Sequence, residues 1–235
     1  GEGDGHFIAD RNGIARVWMD HALWPQMTTK LYIDQTGDVA ILNRQAPYFK
    51  DAQAMRGTAI DGDYRPEQGC WQTDGTGQTY TGTILEHLLI QQLAAFYEVG
   101  EHNICRLRGA DWNDALDMAP NRGESVAFTC AYAGNLRELA GLIRLLQQKT
   151  GLVSAPVMEE LQMLLCDDEA VFDDAEAKRQ LLARYAAACR HQVSGRQVQL
   201  PLEALAAGLE RKADWLTGWL RAHEWLDAGG GEGWY

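Results

Sequence analysis

The chain has 235 residues, of which 46% are hydrophobic and 23% are charged, a composition typical of globular proteins and not of disordered segments. Its formal net charge is −12 and its sequence pI is about 4.9, which excludes nucleic acid and anionic membrane surfaces as expected partners. No apolar run reaches the roughly 18 residues that a membrane-spanning helix needs. The five widely spaced cysteines form no CxxC pair, which disfavours a disulfide framework or a zinc site and favours a reducing cytoplasm.

Helical spacing of apolar residues dominates the chain and predicts an all-α fold of successive helices joined by loops. The predicted helices cover residues 23–35, 39–45, 83–99, 124–149, 155–165, 175–192 and 202–226. Glycines, aspartates and a proline break the pattern over residues 56–81, and residues 101–123 are irregular as well. Because long loops in compact domains often carry binding sites, we expect the functional residues in these two stretches.

The two ends of the sequence lack the usual features of protein termini. Gly1 is not an initiator methionine, and the glycine-rich tract 229–233 ends in Trp234 and Tyr235. Aromatic side chains ordinarily pack on neighbouring structure. We therefore expect residues 1–235 to be a fragment of one catalytic domain, with flanking parts of the parent protein missing.

The polar residues with the clearest chemical potential lie in the sequence RLRGADWNDALD, residues 106–117. A tryptophan can stack on the apolar face of a sugar ring, while Asp111, Asn113 and Asp114 can bind its hydroxyls. Arg106 and Arg108 can keep one carboxyl ionised while another, in drier surroundings, stays protonated. Composition alone leaves a second interpretation open, in which Asp111 caps a turn, Trp112 is core and Asp114 faces solvent.

Longer motifs carry a resemblance to glycoside hydrolase family 94. The sequence GADWNDAL at 109–116, followed by RGESV at 122–126, resembles the GDWND…GES signature of that family. Upstream, RVWMDHALW at 16–24 and YIDQTGD at 32–38 are similar to its SDD-x-LW…Y-x-x-x-TGD stretch. Cellobiose, chitobiose and 1,2-β-oligoglucan phosphorylases belong to this family. The resemblance implies a partial (α/α)6 barrel with long loops.

The resemblance also implies roles for individual residues. The second aspartate of the motif is the family's general acid, which maps onto Asp114. The expected substrate-binding residues are Asp20, Arg108, Asp111, Trp112, Asn113 and Glu124. For Glu124, stabilisation of the following helix start by its charge is an equally good interpretation. This sequence departs from the family pattern at two positions: His21 replaces the second acid of the SDD motif, and Ala115 stands where many members have glycine.

The function implied is phosphorolysis of a β-linked glucoside or oligoglucan to α-glucose 1-phosphate with inversion. Phosphate is itself an anionic nucleophile, so one acid suffices, without a metal or an organic cofactor. The partners are a β-glucan oligosaccharide or disaccharide and phosphate, and the full-length protein can form a homodimer. The alternatives are an inverting glycoside hydrolase on the same barrel and a non-catalytic carbohydrate-binding helical domain. The family's upstream arginine-aspartate sugar-binding motif has no match in this sequence, and the resemblance places its histidine and threonine-glycine phosphate contacts beyond Tyr235. The isolated fragment is therefore expected to be inactive.

Other conspicuous side chains favour structural roles. The histidines lack metal-ligand spacing, and His87 within the leucine-rich helix is expected to be a satisfied, half-buried residue. His102 is a weaker candidate for the wall of the site. Helical spacing predicts that the last tryptophans, Trp215, Trp219 and Trp225, pack against other helices with Leu216 and Leu220, whereas Trp71 is a candidate for a sugar-facing loop.

Overall fold

A computed structural model describes residues 20–48, 67, 69, 71–107, 119 and 122–235. The helices of this part are α1 (Leu23–Thr36), α2 (Ile84–Tyr97), α3 (Val126–Thr150), α4 (Glu169–Asp173), α5 (Ala175–Ala188) and α6 (Leu202–His223), with 3-10 helices at Val39–Asn43 and Glu159–Leu165. The strands are β1 (Gln45–Pro47), β2 (Thr73–Asp74), β3 (Thr81–Thr83), β4 (Ser154–Met158), β5 (Gln192–Val193), β6 (Gln197–Pro201), β7 (Leu226–Gly229) and β8 (Glu232–Trp234).

The structure is rich in helix, as the sequence predicts, and α2 lies at its centre. Thr83 caps this helix by accepting a hydrogen bond from the backbone N–H of Glu86 at 3.0 Å. Leucines, alanines and aromatics are buried on all sides of α2, which is the pattern of a helix surrounded by others. The helix ends at Tyr97, two residues earlier than the predicted end at residue 99.

Helices α3 and α6 form the main packed pair of the described chain. The α3 helix begins after Ser125, whose hydroxyl accepts from the N–H of Phe128, and ends at Gly151 in the left-handed conformation, φ 75°. Its buried face presents leucines to those of α6, and the exposed faces are joined by ion pairs such as Arg137–Asp214 at 2.7 Å. Packing therefore stabilises this pair more than its surface charges do.

Short strands connect the helices, and they correct part of the all-α expectation. The predicted helix over residues 155–165 is wrong for its first half, where β4 pairs antiparallel with β6, Val157 opposite Val198. The other two-stranded sheets of the described residues are β1–β3, β2–β5 and β7–β8, of which β2–β5 is parallel. The predicted helix 39–45 is a 3-10 helix that gives way to β1, and α6 stops at His223 before β7.

A lysine lies inside the aromatic part of the core. Lys178 on α5 is fully buried, with Nζ 3.6 Å from the ring centre of Trp215 and 4.3 Å from that of Phe96. Within the described residues, Nζ has no hydrogen-bond acceptor. Burial lowers the pKa of this amine to about 6, so it is largely neutral at pH 7.

A second buried polar group, the carboxylate of Glu86, joins α2 to the strands around it. It accepts hydrogen bonds from the hydroxyl of Tyr48 at 2.6 Å, the hydroxyl of Tyr80 at 3.2 Å and the backbone N–H of Met158 at 2.7 Å. Burial raises the pKa of Glu86 even though these three donors favour the charged form. The close fit extends to Gly82, where a Cβ would overlap the Glu86 carboxylate and lie 2.8 Å from the Tyr48 hydroxyl oxygen.

This packing predicts that Gly82→Ala destabilises the chain by about 1–3 kcal/mol, because an added methyl group in a filled core forces its neighbours apart. Denaturant unfolding of the chain measures the change. Gly75→Ala is the matched control, since a Cβ at that exposed position meets no atom within 4 Å and the backbone needs no positive φ. We expect the control to change stability by less than about 0.5 kcal/mol. Equal losses for the two variants would contradict the packing argument.

No helix in the described ranges is both long enough and apolar enough to cross a membrane.

Candidate functional site

The segment that contains the DWND motif leaves and re-enters the described structure at one place. Backbone hydrogen bonds join Leu107 N–H to Gly123 C=O at 2.8 Å and Ser125 N–H to Cys105 C=O at 2.9 Å, and between them Arg106 pairs antiparallel with Glu124. These three contacts, which we call the rungs, close the base of the segment between residues 107 and 123. The motif thus lies on a segment of chain whose two ends are fixed to each other, and we call this closed segment, between Leu107 and Gly123, the motif loop.

The first end of the loop is preceded by a tight turn, residues 100–104, which we call the 100–104 turn. The side chain of Glu124 reaches across to it from the other end of the loop. Its carboxylate accepts from the backbone N–H of His102 at 3.0 and 3.1 Å and from that of Ile104 at 3.3 Å. A Cβ on Gly100 would overlap this carboxylate, so the turn needs glycine there.

A cavity of about 360 Å³ lies beside the 100–104 turn and the rungs, and its lining residues are Glu101, His102, Ile104, Arg122, Glu124, Val126 and Glu224. Charged pairs form its walls. Arg122 donates to Glu101 at 2.7 Å, which lowers the pKa of that carboxyl. His102 Nδ1 lies 3.1 Å from a Glu224 oxygen, and this contact raises the pKa of the imidazole. The cavity therefore presents a polar, hydrogen-bonding surface to solvent.

The start of α1, where the SDD-like motif ends, is fixed close to the same loop base. Leu23 and Leu107 belong to one buried hydrophobic cluster. Asp20 accepts from the indole N–H of Trp24 at 2.8 Å through one carboxylate oxygen, while its other oxygen is buried with no hydrogen-bond partner in the described residues. The fold thus places the start of α1 and the first rung residue, Leu107, in one hydrophobic cluster.

Most of the predicted site residues lie outside the described residues: Arg108, Asp111, Trp112, Asn113 and Asp114. For these, the structure gives the position of the flanking chain only, and their roles stay predictions. Of the remaining two, the Glu124 carboxylate accepts hydrogen bonds from backbone N–H groups of the 100–104 turn, and the Asp20 carboxylate accepts one from the indole N–H of Trp24. Their contacts with a sugar also stay predictions.

The other predictions from sequence have mixed outcomes. His87 is half-buried, lies 3.2 Å from the carbonyl oxygen of Ala46 and stacks on Tyr48, which confirms a satisfied structural histidine. His102 lines the cavity, and its place in the wall of a sugar site stays a prediction. Trp215 packs on the core, but Trp225 lies beyond the end of α6 and is 42% exposed, so its predicted helix packing is wrong. Trp71 is exposed, as a loop residue.

Sequence reasoning missed several residues that build the loop base. Asn103 adopts a left-handed conformation, φ 64°, which asparagine tolerates better than most residues. Its buried side chain donates to the carbonyl of Phe172 at 2.8 Å. The glycine and asparagine of GEHNI were a usable signal for a tight turn, whereas nothing local indicates the pairing of Glu101 with Arg122.

Among the residues that the structure describes, no group of three or more His, Cys, Asp or Glu side chains is arranged to hold a metal ion.

Comparisons with known proteins agree with the motif resemblance. Residues 72–160 match the glycosyl hydrolase 94 superfamily, catalytic domain. The matched range includes both the DWND motif and Glu124. A solabiose phosphorylase from Paenibacillus borealis is 27% identical to this chain over 138 residues, which is 58% of the chain and 14% of that relative. The match thus spans a small part of the relative's length. The predicted resemblance to glycoside hydrolase family 94 phosphorylases is confirmed.

Proposed function

From the glycosyl hydrolase 94 segment at residues 72–160, we propose that this chain is part of the catalytic domain of an inverting glycoside phosphorylase. The observation that carries the proposal is the coincidence of three features in one place. The matched segment contains a DWND motif, the motif lies on a loop closed by the rungs, and a polar cavity opens beside the base of that loop.

The proposed reaction is attack of phosphate on the anomeric carbon of a β-linked glucoside, which gives α-glucose 1-phosphate by inversion. Asp114 donates its proton to the glycosidic oxygen as the bond to the leaving sugar breaks. Phosphate brings its own negative charge, so the protein needs no second carboxylate as a base. Asp111, Trp112 and Asn113 bind the sugar by hydrogen bonds and stacking.

We further propose that the 235 residues are one part of an (α/α)6 barrel whose other helices lie in the rest of the parent protein. One face of α1 supports this: Trp24, Met27 and Leu31 follow helical spacing and are 47–59% exposed. An apolar stripe of this kind usually packs on another element. The sugar and phosphate are the partners of the complete site.

The proposal predicts that the full-length protein produces α-glucose 1-phosphate from a β-linked glucose disaccharide only when phosphate is present. The isolated 235-residue chain should show no such activity, because the resemblance places the phosphate contacts beyond Tyr235. Product analysis by NMR with and without phosphate measures both results and identifies the anomer. Release of free glucose at the same rate without phosphate indicates a hydrolase instead, and robust phosphorolysis by the isolated chain contradicts the fragment proposal.

A further inference from the structure

The 100–104 turn is held from several sides by side chains that bond to its backbone or anchor its own residues. Arg179 on α5 donates to the carbonyl of Gly100 at 3.1 Å, and the indole N–H of Trp219 on α6 donates to the carbonyl of His102 at 2.8 Å. Asn103 donates to the Phe172 carbonyl on α4. Glu124 accepts from two N–H groups of the turn. Three helices and the far end of the motif loop therefore fix these five residues.

Only two residues separate this turn from Leu107, where the motif loop begins. Within the turn, Gly100 N–H donates to the Ile104 carbonyl at 3.1 Å. On either side of the turn, Arg106 N–H donates to the Glu98 carbonyl at 3.1 Å. The direction in which the chain enters the motif loop is therefore set by the turn. Since Glu124 belongs to the other end of the loop, its carboxylate fastens the exit of the loop to the entry.

The carboxylate of Glu124 is already engaged by backbone groups of the turn. Three hydrogen bonds from two backbone N–H groups occupy both of its oxygens, and Gly100 packs directly against it. Moving the carboxylate into the cavity to bind a sugar would leave these two N–H groups without this acceptor. The loss costs about 1–3 kcal/mol at Ile104, which is buried, and less at His102, which is exposed. Such a contact geometry suits a residue that holds backbone in place.

We propose that Glu124 is a positioning residue: through the 100–104 turn and the rungs it sets the place of the motif loop, and hence of the acid Asp114, without contacting the sugar. This inference rests on the proposed function. A misplacement of about 1 Å can lower a reaction rate by about 10²-fold, so loss of the Glu124 contacts should affect the proton transfer strongly.

The test compares Glu124→Ala and Glu124→Gln in the full-length enzyme on two substrates, a natural β-linked disaccharide and an aryl β-glucoside with an acidic phenol. We expect Glu124→Ala to lower kcat on the disaccharide by about 10- to 100-fold with KM within about threefold, and to lower kcat on the aryl glucoside far less. The acidic phenol leaves without a proton, so it is insensitive to a misplaced acid. Glu124→Gln keeps one acceptor oxygen and should restore most of the rate.

Glu101→Ala is the matched control, because Glu101 lines the same cavity and pairs with Arg122 without bonding to the turn backbone in the described structure. We expect its ratio of the two rates to equal that of the wild type. A rise in KM for both substrates on Glu124→Ala, unrelieved in Glu124→Gln, would show a direct sugar contact and overturn the proposal. An equal loss of kcat on both substrates would do the same, because it indicates general loss of active enzyme.

Hydrogen exchange in the 235-residue chain tests the contact without using activity. The amides of His102 and Ile104 should exchange at least about tenfold faster in Glu124→Ala than in the wild type, and at near wild-type rates in Glu124→Gln and Glu101→Ala. Unchanged exchange in Glu124→Ala would overturn the holding role. If the exchange result holds while full-length wild-type enzyme performs no phosphorolysis, the proposed function has failed, and the role of Glu124 toward Asp114 fails with it.

Discussion

Asp114→Asn in the full-length enzyme should slow phosphorolysis of a natural β-linked disaccharide by about 10²–10⁴-fold, the contribution typical of a general acid. The amide keeps the shape of the side chain but has no proton to donate. Cleavage of an aryl β-glucoside with an acidic phenol should slow much less, since that leaving group departs as a stable anion. Steady-state rates on both substrates in saturating phosphate measure the difference.

Asp111→Asn provides the control, because Asp111 is proposed to bind or orient the sugar and not to transfer a proton. Its substitution should harm both substrates to a similar degree, so that the ratio of the two rates stays near that of the wild type. An equal loss on both substrates for Asp114→Asn would remove Asp114 from the role of acid.

The second large effect concerns stability. Lys178→Met should stabilise the 235-residue chain by about 1–4 kcal/mol at neutral pH, since a buried amine without an acceptor is replaced by an apolar side chain of similar length. The ring faces of Phe96 and Trp215 that now surround Nζ would pack equally well on a thioether. Reversible denaturant unfolding of both chains gives the difference in free energy.

The pH dependence of this gain follows from the lowered pKa of Lys178, about 6 in the folded chain against an ordinary value of 10.5. Between these two values the unfolded chain binds a proton that the folded chain does not, so burial of the lysine costs more stability as the pH falls. Below about pH 6 both states are protonated and the cost is constant. The gain in unfolding free energy from Lys178→Met should therefore be largest at about pH 6 and below, and it should shrink as the pH rises toward 10.

Lys212→Met is the matched control, because it removes a second buried lysine whose Nζ is satisfied. Nζ of Lys212 donates to the Cys166 carbonyl at 2.7 Å and to Asp167 at 2.9 Å. Its loss leaves that carbonyl without this donor and should destabilise the chain by about 1–3 kcal/mol. Stabilisation by both variants, or a Lys178→Met gain that grows with pH, would contradict the account of Lys178.

Features that depend on neighbouring residues in sequence were predictable in this fold. The start of α2 follows from Thr83, and that of α3 from Ser125, because capping is a local interaction. Strand β4 was not predictable in the same way. Its apolar spacing over residues 155–165 also fits a helix, and it is the pairing with β6, some forty residues later, that selects the extended form.

The candidate site likewise has one part that was predictable from the sequence and one part that was not. The DWND motif pointed to the segment that carries the proposed chemistry, because its resemblance to a family signature lies in neighbouring residues and needs no knowledge of the fold. The way in which this segment is held depends on tertiary contacts, such as Trp219 donating to His102 across 117 positions of sequence. The burial of Lys178 could not be predicted from the sequence either. Its position on α5 is typical of an exposed charged residue, and only the tertiary structure places aromatic side chains of α2 and α6 around its amine.

The rungs have a consequence for how this region can change during evolution. Leu107 is bonded to Gly123 and Cys105 to Ser125, so the two stretches of chain on either side of the motif are held to each other by their own contacts. These hydrogen bonds use main-chain atoms of residues 105, 107, 123 and 125, so substitutions between the rungs remove none of their donors or acceptors. Selection for a different substrate can therefore act on the residues between the rungs while the contacts that join the two ends of the segment are kept.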